Sequence, residues 1–203
     1  MERPILFNTD MVKAILEGKK IVTRRLVKPR YRKGEYSYEM CFRKVDGVFT
    51  YFQYVDEDGA STRMMQQPAY EGDILYVRET WAPWSRTYGM MPEIHYKADG
   101  EDLPGVEWRP SIHMPKEAAR IWLKVTGVTA ERLLNMTVSD VEKEGAGSSG
   151  FLPEYKPGGK CRILFEGMKE LWNSTISKED IQKYGWDANP LVWVIRFERI
   201  ERG

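Results

Sequence analysis

The segment 18–25 places one hydroxyl, that of Thr23, among four cations: Lys19, Lys20, Arg24 and Arg25. A threonine hydroxyl is a poor nucleophile until a base takes its proton, and a lysine can act as that base only when its pKa lies well below the free value. Neighbouring positive charge disfavours a protonated amine and so lowers its pKa. Lys20 and Thr23 are therefore candidates for a base and a nucleophile.

The spacing of Lys20 and Thr23 sets a condition on this chemistry. Residues three apart on a regular strand face opposite sides of the strand. The two side chains can therefore cooperate only if the chain turns between a helix end and the strand, and Gly18 makes such a turn possible. Without the turn, a Lys-x-x-Thr pattern is equally typical of a surface lysine beside a strand threonine.

A second group of candidates, Arg78, Glu79 and Trp81, stands at the end of an apolar run at 74–77. In one interpretation these residues contact a ligand, with Arg78 on a phosphate or base edge and Trp81 stacked on a base, which stabilises a complex by ~1–3 kcal/mol per base. In the other, a salt-bridged arginine lies over a core tryptophan. His113, in a proline-bounded segment, either reaches the same cleft or is a hydrogen-bonded structural residue.

Apolar periodicity and turn residues predict the elements that must position these side chains. A helix with its N-cap at Thr9 or Asp10 ends at Gly18 as its left-handed stop. A second short helix, with Thr137 as N-cap, runs to Glu144. Strands are predicted at 4–7, 21–23, 74–77, 93–98, 121–125 and 191–197, a hairpin at 36–44 and 48–55, a helix at 162–172, and a flexible connection at 145–160.

Short strands with few helices favour an α+β fold that is mostly β: one domain over 1–203, built as a closed or nearly closed barrel with helices outside.

The net charge of the chain is +1, but the stretch 13–33 holds nine Lys and Arg against the single Glu17. That excess forms either a phosphate-binding patch or a solvated charged face.

Composition also excludes several classes of protein. Cys41 and Cys161 show no metal-ligand spacing, which favours a reduced cytoplasmic compartment. Only two histidines occur, and no carboxylate stands at ligand spacing, so no metal or other cofactor is expected. No apolar stretch approaches the ~20 residues that span a bilayer, so no membrane partner is expected.

Three motifs together resemble the ASCH domain of the PUA-like barrel superfamily, in the long form common in phages and prophages. They are Gly18-Lys19-Lys20-x-x-Thr23-Arg24-Arg25, then Gly72-Asp73-Ile74-Leu75-Tyr76-Val77-Arg78-Glu79-Thr80-Trp81, then Val192-Trp193-Val194-Ile195. The resemblance implies a PUA-like β-barrel with peripheral helices and loop insertions near 30–70, 83–115 and 145–190.

The resemblance also implies that RNA or a modified nucleoside binds beside the barrel. Some small members resemble amidohydrolases that remove the acetyl group from N4-acetylcytidine with a lysine, a threonine three residues later and a distant glutamate. Those roles fall on Lys20, Thr23 and Glu144, with Glu142 as the fallback. The implied ligand contacts are Lys19, Arg24, Arg25, Arg78, Glu79, Trp81 and His113.

Two other functions compete with this one. A non-catalytic reader or adaptor of phage origin would use the same cleft for recognition alone. A ribonuclease, the third hypothesis, would need His95 and His113 to converge in the fold.

Overall fold

The computed structural model describes residues 1–27, 39–45, 48–55, 61–64, 67–84, 93–100, 103–145 and 160–202. Most of the predicted connection at 145–160, the turn of the predicted hairpin and parts of the three predicted insertions lie outside these residues. The described residues form an α+β fold, which confirms the predicted class at that level.

Ten strands and four helices occur in these ranges. The strands are β1 (Glu2–Leu6), β2 (Val22–Leu26), β3 (Glu39–Val45), β4 (Val48–Val55), β5 (Ser61–Met64), β6 (Ile74–Arg78), β7 (Trp81–Trp84), β8 (Glu93–Tyr96), β9 (Trp122–Arg132) and β10 (Leu191–Ile200). The helices are α1 (Thr9–Leu16), α2 (Val138–Lys143), α3 (Lys160–Ser174) and α4 (Ile181–Tyr184). Short 3-10 turns include Ser111–His113 and Lys116–Ala118.

The central sheet has five strands in the order β1-β6-β9-β10-β2. β1 runs parallel to β6, and the other neighbours are antiparallel. A three-stranded sheet, β3-β4-β5, contains the predicted hairpin, and β7 pairs with β8. In the described residues β1 and β2 stand at the two ends of this strand order, and no closed barrel is detected.

Helix α1 follows β1 directly and covers one face of the central sheet. Its buried residues Met11, Val12 and Ile15 join a core with Ile5, Phe7, Leu75, Val77, Leu123, Val125, Ile195 and Phe197. The N-cap is Asn8, whose side chain accepts from the Met11 backbone N–H, so the predicted caps Thr9 and Asp10 were one or two residues late. Gly18 has a φ of 71°, which confirms the predicted left-handed stop.

A second core lies on the opposite face of β2 and β10. There α2 and α3 pack Val141, Leu164, Met168 and Trp172 against Val22, Val192 and Val194. Val22, Thr23 and Arg24 are all buried although they alternate between the two faces of β2, so the polar side chains among them need partners inside the protein. No helix in the described ranges is long and apolar enough to cross a membrane.

Candidate functional site: a buried charge cluster beside Thr23

Lys20 is the most deeply buried cation of the segment 18–25, with 1% of the residue exposed. The turn after α1 places it there, because the backbone N–H groups of Lys19 and Lys20 both donate to the Ala14 carbonyl. Lys20 lies before β2 begins at Val22. The turn that Lys20 and Thr23 require between helix and strand is therefore present.

Glu144 reaches Lys20 from the C-terminal end of α2, which begins with a capping box between Thr137 and Asp140. The predicted N-cap Thr137 is thus confirmed. The Ile21 N–H donates to the Lys143 carbonyl and ties the end of α2 to the start of β2. Lys20 Nζ then donates to Glu144 Oε2 at 2.6 Å, across 124 residues of sequence.

The carboxylate of Glu144 bridges two cations. Its Oε2 accepts from Lys20, and its Oε1 accepts from Arg24 Nη1 at 3.1 Å. Arg24 also donates from Nε and Nη2 to Glu131 Oε1, at 3.0 and 2.7 Å. We call Lys20, Arg24, Glu131 and Glu144 the charge cluster. Because its two cations face two carboxylates, it has little net charge to offer a phosphate.

Gly145 allows the close approach of α2 to Lys20. Its φ is +91°, and a Cβ at this position would lie 2.7 Å from Ala14 Cβ and 3.2 Å from Lys20 Cβ. Any other residue would therefore push the end of α2 away from the turn that carries Lys20. Glycine is required here both by backbone conformation and by space.

Burial lowers the pKa of Lys20 below its usual value, and the ion pair with Glu144 opposes that shift. The nearby charges of Arg25 and Arg24 lower the Lys20 pKa further. Nζ donates to three acceptors, namely Glu144 Oε2, the Glu144 carbonyl and the Val22 carbonyl, the last two at 2.9 Å. Three acceptors match the three protons of an ammonium. Lys20 has a free lone pair in this arrangement only after it loses a proton.

Thr23 lies on β2 opposite Ile195 of β10 and is 1% exposed. Lys20 Nζ bonds the carbonyl of Val22, which belongs to the peptide unit that leads into Thr23. Lys20, Glu144 and the backbone of Thr23 are thus brought together. Side chains alternate along a strand, so Thr23 shares its face of β2 with Arg25, and Arg24 points to the other face.

Arg25 extends from β2 towards the end of β1. Its Nη2 donates to the Leu6 carbonyl at 2.7 Å, and its guanidinium carbon lies 5.2 Å from the centre of the Phe7 ring. Lys20 Nζ lies 5.5 Å from the centre of the same ring. Lys19, in contrast, is half exposed and pairs with Glu17 at 2.6 Å.

The second group of predicted ligand contacts divides into an accessible pair and a buried pair. Arg78 donates from Nη2 to the carbonyl of Ile112, the residue before the exposed His113. Arg78 and His113 are therefore neighbours. The two groups of candidates meet at the end of β1, because the Phe7 N–H donates to the Arg78 carbonyl while Arg25 binds the carbonyl of Leu6.

Glu79 and Trp81 form the buried pair. Both Glu79 oxygens accept from Arg120, at 2.9 and 3.0 Å, and burial raises the Glu79 pKa. Trp81 is 7% exposed and packs with Met114, while the Arg109 guanidinium carbon lies 5.5 Å from its ring centre. The arginine that pairs with Glu79 is thus Arg120, and the one beside Trp81 is Arg109. Base stacking on Trp81 stays a prediction.

Sequence reasoning missed the acids that balance the basic segment. Glu131 lies on β9, two strands away from β2. The register of the sheet brings it towards Arg24, because Val192 of β10 pairs with both Glu131 of β9 and Leu26 of β2. Asp140 Oδ1 lies 3.8 Å from Arg24 Nη2. No local pattern marks Glu131 as a partner of Arg24, whereas the Thr137-x-x-Asp140 capping box was a usable signal for the position of α2. The described residues contain no cluster of His, Cys, Asp and Glu suited to a metal ion.

Comparisons with known proteins leave the family open. No family model matches the chain, and no curated protein matches it. The crystal structure of a hypothetical protein, PH0355, aligns with 98% of this chain and 100% of its own, at 16% identity and a TM-score of 0.39. A similarity at that level supports no argument about fold or function.

Proposed function

We propose that this protein is an ASCH-type, PUA-like barrel that binds RNA or a modified nucleoside and removes the acetyl group from N4-acetylcytidine. The observation that carries the proposal is that Lys20 Nζ bonds both Glu144 and the carbonyl of Val22, the residue before Thr23. Lys20 is 1% exposed, has a lowered pKa and lies 2.6 Å from a carboxylate. Burial of ionisable groups in this way is energetically unfavourable, and groups with strongly shifted pKa values cluster at functional sites.

The proposed reaction has two steps. The Thr23 hydroxyl loses its proton to Lys20, and its oxygen attacks the acetyl carbonyl carbon. The C–N bond then breaks, the exocyclic nitrogen takes up the proton, and cytidine leaves while the acetyl group stays on Thr23 as an ester. Lys20 next takes a proton from a water molecule, whose oxygen attacks the ester carbonyl carbon. The bond between that carbon and the Thr23 oxygen breaks, the Thr23 oxygen takes the proton back from Lys20, and acetic acid leaves.

Lys20 can serve as the base only after it becomes neutral. The 2.6 Å contact provides a route, since the ammonium can pass one proton to Glu144 Oε2 and leave a neutral pair. The charges of Arg25 and Arg24 favour the neutral amine of Lys20, because they lower the Lys20 pKa. In this proposal Glu144 orients Lys20 and accepts the proton that Lys20 must lose.

One observation favours the non-catalytic reader as a second candidate. All three protons of the Lys20 ammonium already have acceptors, and Thr23 is 1% exposed. A charge cluster in which every group has a partner can also have a purely structural role, in which its hydrogen bonds hold α2, β2 and β9 together. A reader would bind acetylated and unmodified cytidines without turning either over.

Turnover of N4-acetylcytidine, supplied as a nucleoside, a nucleotide and within an oligonucleotide, separates these candidates. We expect Thr23→Val, which keeps the shape of the side chain, and Lys20→Met each to abolish deacetylation. The double variant should be no worse than either single one, because a nucleophile without its base is as inactive as a site lacking both. Lys124→Ala is the matched control, since Lys124 is more than half exposed on β9, pairs with Glu198 and belongs to neither group of candidates.

Circular dichroism should show that each variant is folded before its rate is compared. A folded wild type that binds these ligands but leaves the acetyl group in place would establish the reader instead. Full activity in Thr23→Val would exclude Thr23 as the nucleophile.

A further inference from the structure

The groups that the proposed reaction needs are closed off from solvent. Thr23, Lys20 and Glu144 are 1%, 1% and 3% exposed. A substrate cannot touch the Thr23 hydroxyl until a neighbouring group moves. The side chain that moves must lie on the Thr23 face of β2 and must be held by contacts that a ligand can replace.

Arg25 meets both conditions. It is two residues from Thr23 on the same strand, so the two side chains are neighbours on one face of β2. It spans from the edge strand β2 to the edge strand β1 through one hydrogen bond to the Leu6 carbonyl. It also lies over the Phe7 ring that Lys20 Nζ contacts, so it stands next to the buried amine.

We propose that Arg25 is a latch that closes the gap between β1 and β2 over Thr23 and Lys20, and that a phosphate group on the ligand opens it by drawing the guanidinium away from the Leu6 carbonyl. The choice of ligand rests on the proposed function. The latch itself rests only on the contacts of Arg25.

The exchange is chemically favourable because of what Arg25 gives up. Its bond to Leu6 is a single contact with a neutral carbonyl, whereas a phosphate can accept two parallel bonds from the guanidinium fork and carries a full charge. The carbonyl left behind belongs to an exposed residue, Leu6, so water can replace the lost donor.

Arg24 cannot take this role, although it is the adjacent arginine. Its guanidinium already binds the carboxylates of Glu131 and Glu144, so a phosphate would have to compete with two anions in a buried place. The latch therefore assigns phosphate recognition to Arg25. It predicts that acetylated cytidine with a phosphate, as a nucleotide or within an oligonucleotide, is preferred to the free nucleoside.

The rate at which Lys20 reacts with a neutral acylating reagent, N-hydroxysuccinimide acetate, measures opening directly. Mass spectrometry of the digested protein reports Lys20 and the exposed Lys19 in the same sample. In Arg25→Ala we expect Lys20 to react about tenfold faster than in the wild type, which matches the loss of one hydrogen bond to a charged group. Arg196→Ala is the matched control, since Arg196 lies on the adjacent strand and bonds Thr129 rather than Leu6.

Loss of the Arg25 charge cannot by itself make Lys20 react faster. Arg25 lowers the pKa of Lys20, so removal of Arg25 raises that pKa and leaves less of the reactive neutral amine. A faster reaction in the variant therefore reports access and not basicity. An unchanged Lys20 rate in folded Arg25→Ala would overturn the latch.

A second arm uses the wild type and so does not depend on the fold of a variant. Inorganic phosphate, compared with chloride at the same ionic strength, should speed the reaction of Lys20 severalfold and leave Lys19 unchanged. No difference between the two salts would show that phosphate does not open the latch. Because neither arm measures deacetylation, a chain without turnover can still pass both, and failure of the latch is distinct from failure of the proposed reaction.

If both arms succeed, the same assay with other additives in place of inorganic phosphate shows which phosphate-bearing ligands open the latch. Cytidine 5′-monophosphate and a short single-stranded RNA should each reproduce the effect of inorganic phosphate, and cytidine itself should not. An equal effect of cytidine would overturn the assignment of phosphate as the opening group.

Discussion

Replacement of Glu144 by Gln tests the charge cluster most sharply, because one carboxylate serves two buried cations. The change keeps the size of the side chain and removes its charge. It leaves Lys20 with its two backbone acceptors, a neutral amide in place of the carboxylate and no counterion, and leaves Arg24 with only Glu131 as a hydrogen-bonded carboxylate. Loss of one partner of a buried ion pair costs ~3–5 kcal/mol. We expect a loss of about 3 kcal/mol or more in the free energy of unfolding at neutral pH, because a second cation is affected as well.

The pH dependence of that loss separates the two cations. Burial lowers the pKa of Lys20 in the folded state, so the unfolded chain binds more protons and stability rises with pH between the folded-state pKa and the usual value of 10.5. In Glu144→Gln the ion pair that opposes this shift is gone, so the window begins at a lower pH. The deficit of the variant should shrink as pH rises through that window, and the remainder belongs to Arg24, which has lost one of its two hydrogen-bonded carboxylates.

Urea unfolding followed by tryptophan fluorescence measures both quantities. Glu198→Gln is the control, since Glu198 and Lys124 are more than half exposed and lie 3.6 Å apart. Such a surface pair contributes at most about 1 kcal/mol. A loss below about 1 kcal/mol in Glu144→Gln, or a deficit that grows with pH, would refute the ion-pair account.

Two further predictions concern the neighbours of the cluster. Gly145→Ala should destabilise the protein by roughly 1–3 kcal/mol, because of strain at positive φ and a contact at 2.7 Å with Ala14. Adding Ala14→Gly to this variant should recover part of the lost stability. Thermal unfolding measures both effects, and equal stability of Gly145→Ala and wild type would contradict the reasoning. Affinity for single-stranded RNA should fall with salt, and Arg25→Ala should reduce the slope by about 0.7 while Arg24→Ala leaves it nearly unchanged, because carboxylates already hold Arg24. Equal effects of the two substitutions on the slope would contradict that division.

The sequence predicts the local elements well where a single residue type decides the backbone. Gly18 marks the end of α1, and Thr137 marks the start of α2, because a left-handed stop and a capping box are each encoded within a few residues. The meeting of Lys20 and Glu144 was expected only from the resemblance. It depends on a backbone bond from Ile21 to the end of α2 that no local pattern encodes.

The charges show where reasoning from the sequence stops. The excess of positive charge at 13–33 suggested a phosphate patch, yet within it Lys20 and Arg24 point inward to acids more than 100 residues away. Whether a cation faces solvent depends on strand register, and a shift of one residue moves every side chain to the other face. Arg24 and Arg25 are adjacent in sequence, and the pleat of β2 sends them to different partners.

The most direct test of the proposed reaction is capture of its covalent intermediate. Wild-type protein mixed with N4-acetylcytidine and quenched in acid within one turnover should carry one acetyl group on the peptide that contains Thr23, as read by mass spectrometry, and Thr23→Val should carry none. Acetate released with no acetyl group ever found on that peptide, or an acetyl group found on another residue, would contradict the role of Thr23.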